Sequence, residues 1–534
     1  MTTVADYMVN QLAAWGAERV YGVVGDTLFP LMDAIDRHPG VRFIPVRHEA
    51  AAGFMASAEA KLTGRPTCCL ATSGPGIANL LNGLGDAYAD RVGVIAITGQ
   101  VERAKIGTES KQYVDQQSFV RPLAGYTALL ADPEAVGHIL PTALRMAVGE
   151  RLVAHLSVPK DLFAMDCGAV VVPYEPYLDT PPVPAPAVVR GALDLMASAR
   201  RPLILMGQGA RCAADEVVAL AERWGAGIIQ SLPAKGAVPW SHPLLLGGLG
   251  DGGTDATHTA LPEADLLLAA GVNWWPEKYV PAALPVIKLD RSPANIGGKM
   301  AVVYGIAGDT RTVLPLLAAG VDLQARPEWR GRLTALRDAW ETRLEMETAD
   351  SGTLPSPQFI VRTLERVLPP DAIVALDTGD HTVWFNRIFA GERQEVLVSG
   401  TWRSLGFGLP AAMAAKLARP GRTVVALVGD TGLMSLMGEL VTAAELGLHV
   451  VVVVVNNGMM AMERNRAVAN GYSTLGTTPR NPDFARLAAA CGLSSFMART
   501  GRELQLALPA ALAADGPVLI DVLATAPVAP TVGE

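Results

Sequence analysis

The 534-residue chain is poor in cysteine and in charge, and each shortage narrows the class of protein. Its five cysteines form neither a CxxC pair nor the spacing of a metal site; they are Cys68, Cys69, Cys167, Cys212 and Cys491. An odd, sparse set predicts reduced thiols rather than a disulfide framework. Charged residues are 18% of the chain, below the usual quarter or so of a globular protein. Such a composition fits a chain that also buries surface between subunits.

The chain also lacks a basic block and a long apolar run. The net charge of −8 argues against a nucleic-acid partner. The run of six valines, Val450–Val455, is too short to cross a bilayer. The first twenty residues contain an early acid and no continuous apolar core, so they do not resemble a signal peptide. We therefore expect a cytoplasmic protein without a membrane partner.

Two breaks divide the chain into three regions in which apolar strands alternate with helical patterns. Residues 170–187 are rich in proline and read as an extended linker. Residues 321–357 contain a polar helix, predicted from Trp329 to Met346, and end in a Pro- and Ser-rich stretch. In the middle region we predict strands at Pro202–Met206, Gly227–Gln230, Asp265–Ala270 and Val286–Leu289. The alternation predicts three α/β domains with parallel sheets flanked by helices, at residues 1–168, 186–322 and 356–534.

The stretch from Val424 to Met462 carries the strongest functional signal. One apolar run leads to Asp430, a helical pattern covers Ser435–Leu446, and the valine run leads to Asn456 and Asn457. The two polar clusters therefore follow the carboxyl ends of two strands, where parallel sheets bind ligands. Carboxylate and amide oxygens suit Mg2+, which in turn favours a phosphate oxygen as a further ligand. A helix that begins after Asp430 would present backbone N–H groups to a diphosphate.

This stretch resembles the thiamin-diphosphate (ThDP) signature of the 2-oxo-acid decarboxylase superfamily, in which Gly-Asp-Gly precedes Asn-Asn. The 25 residues between Asp430 and Asn456 fit the usual spacer. The resemblance implies that Asp430, Asn457 and the backbone carbonyl of Met459 hold Mg2+. It also implies that the turn Asp430-Thr431-Gly432 contacts the cofactor. Its threonine stands where the family usually has glycine, which leaves the backbone conformation there open.

The first region repeats the motif order of the pyrimidine-binding domain of acetolactate synthases and pyruvate oxidases. A predicted strand at residues 41–47 precedes Glu49, which begins an alanine-rich helix to about Leu62. The matching motifs are collinear over residues 19–165 and include Tyr21–Asp26, Ala71–Gly76 with Asn79, Ile97–Gln100 and Ile106–Thr108. Taken alone, Glu49 would be a surface acid that satisfies a helix N-terminus.

The resemblance implies that Glu49 hydrogen-bonds N1′ of the thiamin pyrimidine and that Pro75 and Asn79 are further cofactor contacts. Proton sharing at N1′ makes the 4′-amino group an imine, which removes the C2 proton of the thiazolium. In this family the glutamate comes from one subunit and the metal–diphosphate site from its neighbour. The resemblance therefore implies a homodimer or homotetramer with active sites between subunits.

Two further motifs in the third region match the cofactor site of the family. A short predicted strand, Ile373–Leu376, precedes Asp380 and His381, which match positions that contact the diphosphate. In the motif Thr401–Pro410, Leu405 matches the bulky residue that bends ThDP and so brings the imine to C2. Outside this context, His381 would be a capping or partly exposed histidine, and Leu405 would be a core leucine.

Four positions bear on which member of the family the chain resembles. Gln112 matches a glutamine that contacts the substrate or the intermediate in acetolactate synthases and pyruvate oxidases. Gly125 replaces the lysine that is usual in the synthases. Glu463 has the spacing of a catalytic glutamate of simple 2-oxo-acid decarboxylases, and Asp26 matches an active-site aspartate of those enzymes. Glu463 is equally well explained as a solvated acid on a helix.

The middle region leaves the presence of FAD open. Gly207-Gln208-Gly209, Asp290 and Gly308-Asp309 resemble the FAD-carrying domain of the oxidases and synthases. An isolated Gly-x-Gly is a weak motif, and Asn273–Lys278 replaces the Arg-Phe-Asp-Asp-Arg of many synthases. The sequence therefore supports bound FAD and its absence about equally.

We expect a ThDP- and Mg2+-dependent enzyme that decarboxylates a small 2-oxo acid, with pyruvate as the default. The cofactor accepts the electrons as CO2 leaves. The resulting enamine has three fates: transfer to a second carbonyl, protonation to an aldehyde, or oxidation by flavin. Transfer with Gln112 near the reacting carbon is the first choice, and protonation by Glu463 is the second. A regulatory protein that lost the chemistry is disfavoured, because Glu49, Asp430 and Asn457 all serve the cofactor.

Overall fold

The computed structural model describes residues 2–174, 180, 182–298, 300–323 and 326–529. It contains three six-stranded sheets whose neighbouring strands all run parallel, and helices flank each sheet. This confirms the α/β class predicted from the sequence. In the part of the chain that is described, no helix is both long and apolar enough to cross a membrane.

The first sheet carries the motifs around Glu49. The strands of this region are β1 (Thr2–Thr3), β2 (Arg19–Gly22), β3 (Arg42–Pro45), β4 (Thr67–Ala71), β5 (Val94–Gln100), β6 (Tyr126–Leu129), β7 (Val153–Pro159) and β8 (Asp166–Cys167). Its helices are α1 (Val4–Ala14), α2 (Phe29–Arg37), α3 (Glu49–Thr63), α4 (Pro75–Ala89), α5 (Gln116–Val120) and α6 (Val136–Gly149). The strand order is β3-β2-β4-β5-β7-β6, and β1 pairs with β8 separately.

Helices α3 and α4 cross at unusually short range. A Cβ atom on Gly53 would lie 2.7 Å from Cα of Gly83, so glycine is needed for the backbones to approach this closely. The side chain of His48 caps α3 by accepting a hydrogen bond from the backbone of Ala50. Glu49 begins the helix, as the sequence predicts. The crossing places Glu49 beside Asn79 on α4.

The central sheet has the strand order of dinucleotide-binding domains. Its strands are β9 (Pro202–Met206), β10 (Gly227–Gln230), β11 (Leu245–Gly248), β12 (Leu266–Ala270), β13 (Val286–Asp290) and β14 (Val302–Ala307). Helices α7 (Pro186–Ser198), α8 (Ala214–Trp224), α9 (Asp255–Glu263) and α10 (Thr310–Gly320) surround it, and α11 (Pro327–Glu347) follows. In the order β11-β10-β9-β12-β13-β14 the chain adds strands to one side of β9 and then continues from β12 on its other side. Parallel sheets bind ligands at this switch point between β9 and β12.

The third sheet holds the Val424–Met462 stretch at its centre. Its strands are β15 (Ile373–Leu376), β16 (Glu395–Val398), β17 (Val424–Gly429), β18 (Val451–Asn456), β19 (Ser494–Ala498) and β20 (Val518–Leu523). Its helices are α12 (Pro357–Val367), α13 (Asp380–Ile388), α14 (Gly408–Ala418), α15 (Asp430–Ser435), α16 (Glu439–Glu445), α17 (Ala461–Ala469), α18 (Phe484–Ala490) and α19 (Gly501–Leu512). In the order β16-β15-β17-β18-β20-β19, β15 and β18 both lie beside β17.

One helix prediction is wrong. The sequence predicts a single helix over Ser435–Leu446, but α15 ends at Ser435 and α16 begins at Glu439. The break has a tertiary cause. The Glu439 carboxylate is buried and accepts hydrogen bonds from the backbone N–H groups of Arg47 (2.9 Å) and His48 (3.2 Å) in the first domain. This contact between domains lies outside the reach of a local helical pattern.

Candidate active site

A cavity of about 650 Å3 lies between the central and third domains. Its walls come from the segments that follow the carboxyl ends of strands in both sheets. In the central domain these segments include Gln208, Ser231 and Trp274. The third domain contributes the segments after β15, β17 and β18. The cavity therefore joins the ligand-binding edges of two parallel sheets.

All nine site residues predicted in the third domain line this cavity. They are Asp380, His381, Leu405, Asp430, Thr431, Gly432, Asn457, Met459 and Glu463. The parallel pairing of β17 with β18 brings the two polar clusters of the Val424–Met462 stretch to the same edge. The prediction that these clusters share one crevice is therefore confirmed by the fold.

Hydrogen bonds to the backbone of the two residues after Asn457 hold Asp430 and Asn457 close to each other. The Oδ2 atom of Asp430 accepts hydrogen bonds from the backbone N–H of Gly458 (2.8 Å) and from Nδ2 of Asn481 (2.8 Å). The Oδ1 atom of Asn457 accepts one from the backbone N–H of Met459 (3.1 Å). These contacts fix two side-chain oxygens at the ends of neighbouring strands.

Thr431 replaces the family's glycine without backbone strain. It lies in the first turn of α15, and its φ is not positive. Its hydroxyl lies 3.3 Å from Oδ1 of Asp430, and its backbone N–H donates to the same atom at 2.7 Å. At the next residue, Gly432, a side chain does not fit, because a Cβ atom there would lie 2.6 Å from Oδ2 of Asp377.

Three buried titratable groups follow β15, and burial shifts the pKa of each of them. Burial raises the pKa of Asp377 to about 7 and that of Asp380 to about 6. Burial lowers the pKa of His381 to about 4, so the imidazole is neutral at pH 7. Its Nε2 atom lies 3.0 Å from the backbone oxygen of Asp377. His381 is therefore neither a helix cap nor a partly exposed residue.

The residues at this end fit a diphosphate and a hard cation. The hydroxyl of Thr378 is buried and lacks a hydrogen-bond partner among the described residues, although it lines the cavity. It lies two residues before α13. The first backbone N–H groups of a helix have no partner within the helix, so they can bind an anion beside Thr378. Among the described residues no group of three or more His, Cys, Asp or Glu could hold a metal. A cation here would use Asp430 with neutral amide and carbonyl oxygens, which suits Mg2+.

Leu405 and Glu463 line the cavity from two different segments of the third domain. Leu405 follows Ser404, whose hydroxyl contacts Asn82 of α4, so the first domain supports this loop. Glu463 lies in the first turn of α17, and its side chain is 52% exposed with Arg466 at 3.8 Å. Glu463 is thus an acid that faces the cavity and is also open to solvent.

The predicted residues of the first domain do not line the cavity of their own chain. They are Asp26, Glu49, Pro75, Asn79 and Gln112. Glu49 is 8% exposed, and its Oε2 atom accepts a hydrogen bond from Nδ2 of Asn79 at 3.0 Å. Asp26 is exposed and lies 3.6 Å from Lys160. Gln112 adopts a positive φ of 65° and packs against Gly74.

Several residues of the site were not predicted from the sequence. Asn481 donates to Asp430 from 51 positions away, and no local motif marks it. Asp377 and Thr378 follow a predicted strand, and that position was the available signal. Asp90 lines the cavity from a helix end that no sequence motif marks. Arg403 lines it from within the Thr401–Pro410 motif, where the resemblance points only to Leu405.

The fold and cavity define an α/β protein with a polar cavity at the ligand-binding edges of two parallel sheets, and family comparisons make its class specific. Three family models match in order: the N-terminal thiamine pyrophosphate (TPP) binding domain at residues 2–119, the central domain at 189–317 and the C-terminal TPP binding domain at 377–522. Each is described as a domain of the thiamine pyrophosphate enzymes. The chain belongs to this family, as the sequence resemblance predicts, and its cofactor is ThDP.

Relatives with similar sequences extend over nearly the whole chain. YdaP of Bacillus subtilis, described as a thiamine pyrophosphate-containing protein, is 34% identical over 98% of this chain and 91% of its own length. An acetolactate synthase of Mycobacterium bovis is 33% identical over 97% of this chain and 87% of its own. The large subunit of acetolactate synthase isozyme 1 of Escherichia coli is 30% identical over 97% and 93%. The chain is therefore a ThDP-dependent enzyme with acetolactate synthases among its relatives.

Proposed function

We propose that this enzyme uses ThDP and Mg2+ to decarboxylate a small 2-oxo acid, by default pyruvate, and transfers the remaining two-carbon unit to a carbonyl acceptor. The observation that carries the proposal is the cluster of Asp430, Asn457 and the Thr378 hydroxyl at one sheet edge, where no described residue bonds that hydroxyl. Acetolactate synthases among the relatives favour carboligation over the other fates.

Mg2+ would be held by Asp430, Asn457 and the Met459 carbonyl. Thr378, with the N-terminal N–H groups of α13, would hold the diphosphate. When bound, ThDP supplies the electron sink for loss of CO2. Leu405 would support the bent form of the cofactor that the family resemblance implies. FAD stays a further alternative, supported by the dinucleotide-type order of the central sheet and by Gln208 in the cavity wall.

A second copy of the chain would complete the site. Glu49 and Asn79 form a polar pair that lies outside the cavity of its own chain. Large apolar side chains near the predicted first-domain residues are exposed, including Val24 (50%) and Phe29 (58%). Met434 and Met437, which follow the Asp430 turn, are 38% and 39% exposed. Apolar surface beside both halves of the site supports a homodimer or homotetramer. The sparse, odd set of cysteines supports a place in the cytoplasm.

The reaction balances without an added oxidant. The bond between the keto carbon and the carboxylate of the donor acid breaks, and its electron pair forms the new carbon–carbon bond to the acceptor. The acceptor's carbonyl oxygen takes up a proton. Gln112, carried on a loop with a left-handed backbone, would orient the reacting carbon. The product lacks the donor's carboxylate, which leaves as CO2.

Decarboxylation to an aldehyde is the second candidate, and Glu463 supports it. This acid lines the cavity beside Met460 and Met462, and solvent reaches its side chain. A carboxyl group in that position would relay a proton between water and the reacting carbon. Loss of aldehyde formation in Glu463→Gln, with CO2 release also reduced, would favour this candidate.

Product analysis tests the proposal directly. Purified enzyme receives ThDP, Mg2+ and pyruvate without an electron acceptor. Acetolactate or acetoin supports carboligation, and acetaldehyde as the sole product supports the decarboxylase. Release of CO2 that begins only after an electron acceptor is added would favour the flavin-dependent alternative. Absence of CO2 under every condition would overturn pyruvate as the donor.

A further inference from the structure

The charges around the cavity are unequally paired. Of the described residues that line it, two carry cations, Arg403 and Arg466. Arg466 lies 3.2 Å from Asp251 and 3.8 Å from Glu463, so two carboxylates already compensate it. Arg403 makes no hydrogen bond or ion pair with its side chain among the described residues. The cavity therefore offers one guanidinium group to a ligand.

The acids closest to Arg403 are committed elsewhere. Asp90 binds the ammonium of Lys61 at 2.8 Å and accepts hydrogen bonds from the backbone N–H groups of Gly400 and Thr401. Asp251 pairs with Arg466 and accepts a hydrogen bond from the Tyr279 hydroxyl. Both carboxylates lie near enough to attract Arg403 electrostatically, but neither forms an ion pair with it. An anion in the cavity would meet a guanidinium whose five N–H donors are all available.

The backbone at Arg403 adopts a conformation that arginine disfavours. Its φ is +58°, in the left-handed region that glycine and asparagine tolerate best. Both neighbours are held by Asn82 of α4. The indole N–H of Trp402 donates to its Oδ1 at 2.9 Å, and the hydroxyl of Ser404 lies within 3.2 Å of its amide. The loop is thus pinned on both sides of a strained arginine that lines the cavity, and such strain is typical of functional positions.

We propose that Arg403 binds the carboxylate of the acceptor acid, which makes the acceptor an anionic 2-oxo acid rather than a neutral aldehyde. This proposal rests on the proposed function. The donor's carboxylate departs as CO2, so a strong cation at that group would stabilise the ground state and slow its loss. The acceptor keeps its carboxylate from binding to product, and a planar guanidinium can hold it by two parallel hydrogen bonds. Arg403 lies two residues from Leu405, in the wall where the cofactor is expected.

The test uses Arg403→Asn in the full-length holoenzyme. Asparagine tolerates a positive φ, so the variant removes the cation without adding backbone strain. Arg393→Asn is the matched control, because Arg393 also has a positive φ (81°) but lies on the surface beside Asp215, away from the cavity. Arg403→Lys keeps the charge and loses the planar fork. Enzyme is given pyruvate with added acetaldehyde, and acetolactate and acetoin are measured together.

Arg403→Asn should lower the ratio of acetolactate to acetoin by about 10- to 100-fold, the loss expected for hydrogen bonds to a charged group. Arg403→Lys should recover part of the ratio, and Arg393→Asn should match the unmodified enzyme. Calorimetric titration of each holoenzyme with oxamate, an unreactive 2-oxo acid analogue, should show the same order of affinities. Calorimetry with ThDP and Mg2+ should give equal affinities for all four proteins.

An unchanged product ratio in Arg403→Asn, while the unmodified enzyme forms acetolactate, would overturn the role of Arg403 and leave the proposed function standing. A loss of ThDP affinity with unchanged oxamate affinity would also overturn it and assign Arg403 to the cofactor. If the unmodified enzyme forms acetoin but no acetolactate, the acceptor is a neutral aldehyde and the role of Arg403 is overturned. If it forms neither product, the proposed function fails, and oxamate decides the rest. Equal oxamate affinity in the two proteins would then overturn the role of Arg403, and a weaker affinity in Arg403→Asn would support it.

Discussion

The ammonium group of Lys61 lies 2.8 Å from Oδ2 of Asp90, and both side chains are almost fully buried. Lys61 also lies 2.7 Å from Asp86 and donates to the backbone oxygen of Val398 at 3.0 Å. Burial raises the pKa of Asp86 even though Lys61 opposes this effect. Asp90 in turn holds the backbone of Gly400 and Thr401. This buried network ties the first domain to the loop that leads to Leu405.

Replacement of Lys61 by methionine should destabilise the protein strongly, by about 3–5 kcal/mol, because two carboxylates would stay buried without a cation. The thermal unfolding midpoint measures the effect. Lys105→Met is the matched control, since the pair of Lys105 with Glu102 is more than one-third exposed and should contribute little. Equal midpoints for the two variants would contradict the assignment of the buried network.

Glu49→Gln should reduce turnover by at least about 100-fold while the fold persists, if Glu49 shares a proton with the cofactor. Glutamine keeps an oxygen that can accept the hydrogen bond of Asn79. Steady-state kinetics with pyruvate and far-UV circular dichroism separate the two effects. Glu18→Gln, at an exposed position of the same domain, is the control. Normal turnover in Glu49→Gln would rule out the proposed proton partner.

Dialysis against EDTA should remove Mg2+ and ThDP together, because the diphosphate depends on the cation for part of its binding. Activity should return when both are added back. Asp430→Asn should need a higher Mg2+ concentration for half-maximal activity, since the replacement removes the one charged ligand proposed for the metal. Asp515→Asn, at an exposed position, should behave like the unmodified enzyme. Full activity after dialysis would count against the site at Asp430 and Asn457.

Acid should destabilise the first domain through His155. This residue is fully buried, and burial lowers its pKa from the ordinary 6.5 to about 3. The side-chain amide of Gln116 donates to the Gly99 carbonyl, so its oxygen accepts from the Thr98 hydroxyl. Thr98 must then accept from Nε2 of His155 at 2.7 Å, and Nδ1 accepts from Thr127 at 2.8 Å. The network therefore requires a neutral imidazole.

The neutral histidine stabilises the fold fully above pH 6.5, and this contribution falls as the pH drops from 6.5 toward 3, because the unfolded chain binds the extra proton. His155→Gln should make the unfolding midpoint less dependent on pH in that window. The exposed His138→Gln is the control and should leave the slope unchanged. An identical slope in His155→Gln would contradict the depressed pKa of His155.

Local patterns predicted most secondary structure that lies near the site. The predicted strands Pro202–Met206, Gly227–Gln230 and Ile373–Leu376 have the observed bounds, and Glu49 begins its helix. Strands and helix starts depend on apolar periodicity, capping and turn chemistry, which act over a few neighbouring residues. For the same reason the clusters at Asp430 and Asn457 could be placed at strand ends.

Contacts between distant residues decided the rest. Neighbouring positions in the sequence do not specify that Asn481 donates a hydrogen bond to Asp430. Nor do they specify that Glu439 binds the backbone of the first domain at the break between two helices. The hydrogen bonds of Asn82 to both neighbours of Arg403 are likewise long-range contacts. The sequence by itself determined the strands, their polar ends and the family to which they belong. Tertiary packing alone decided which groups of the central domain join that crevice and which charge stays unpaired among its described residues, because ion pairing and burial depend on side chains that meet only after the three sheets have formed.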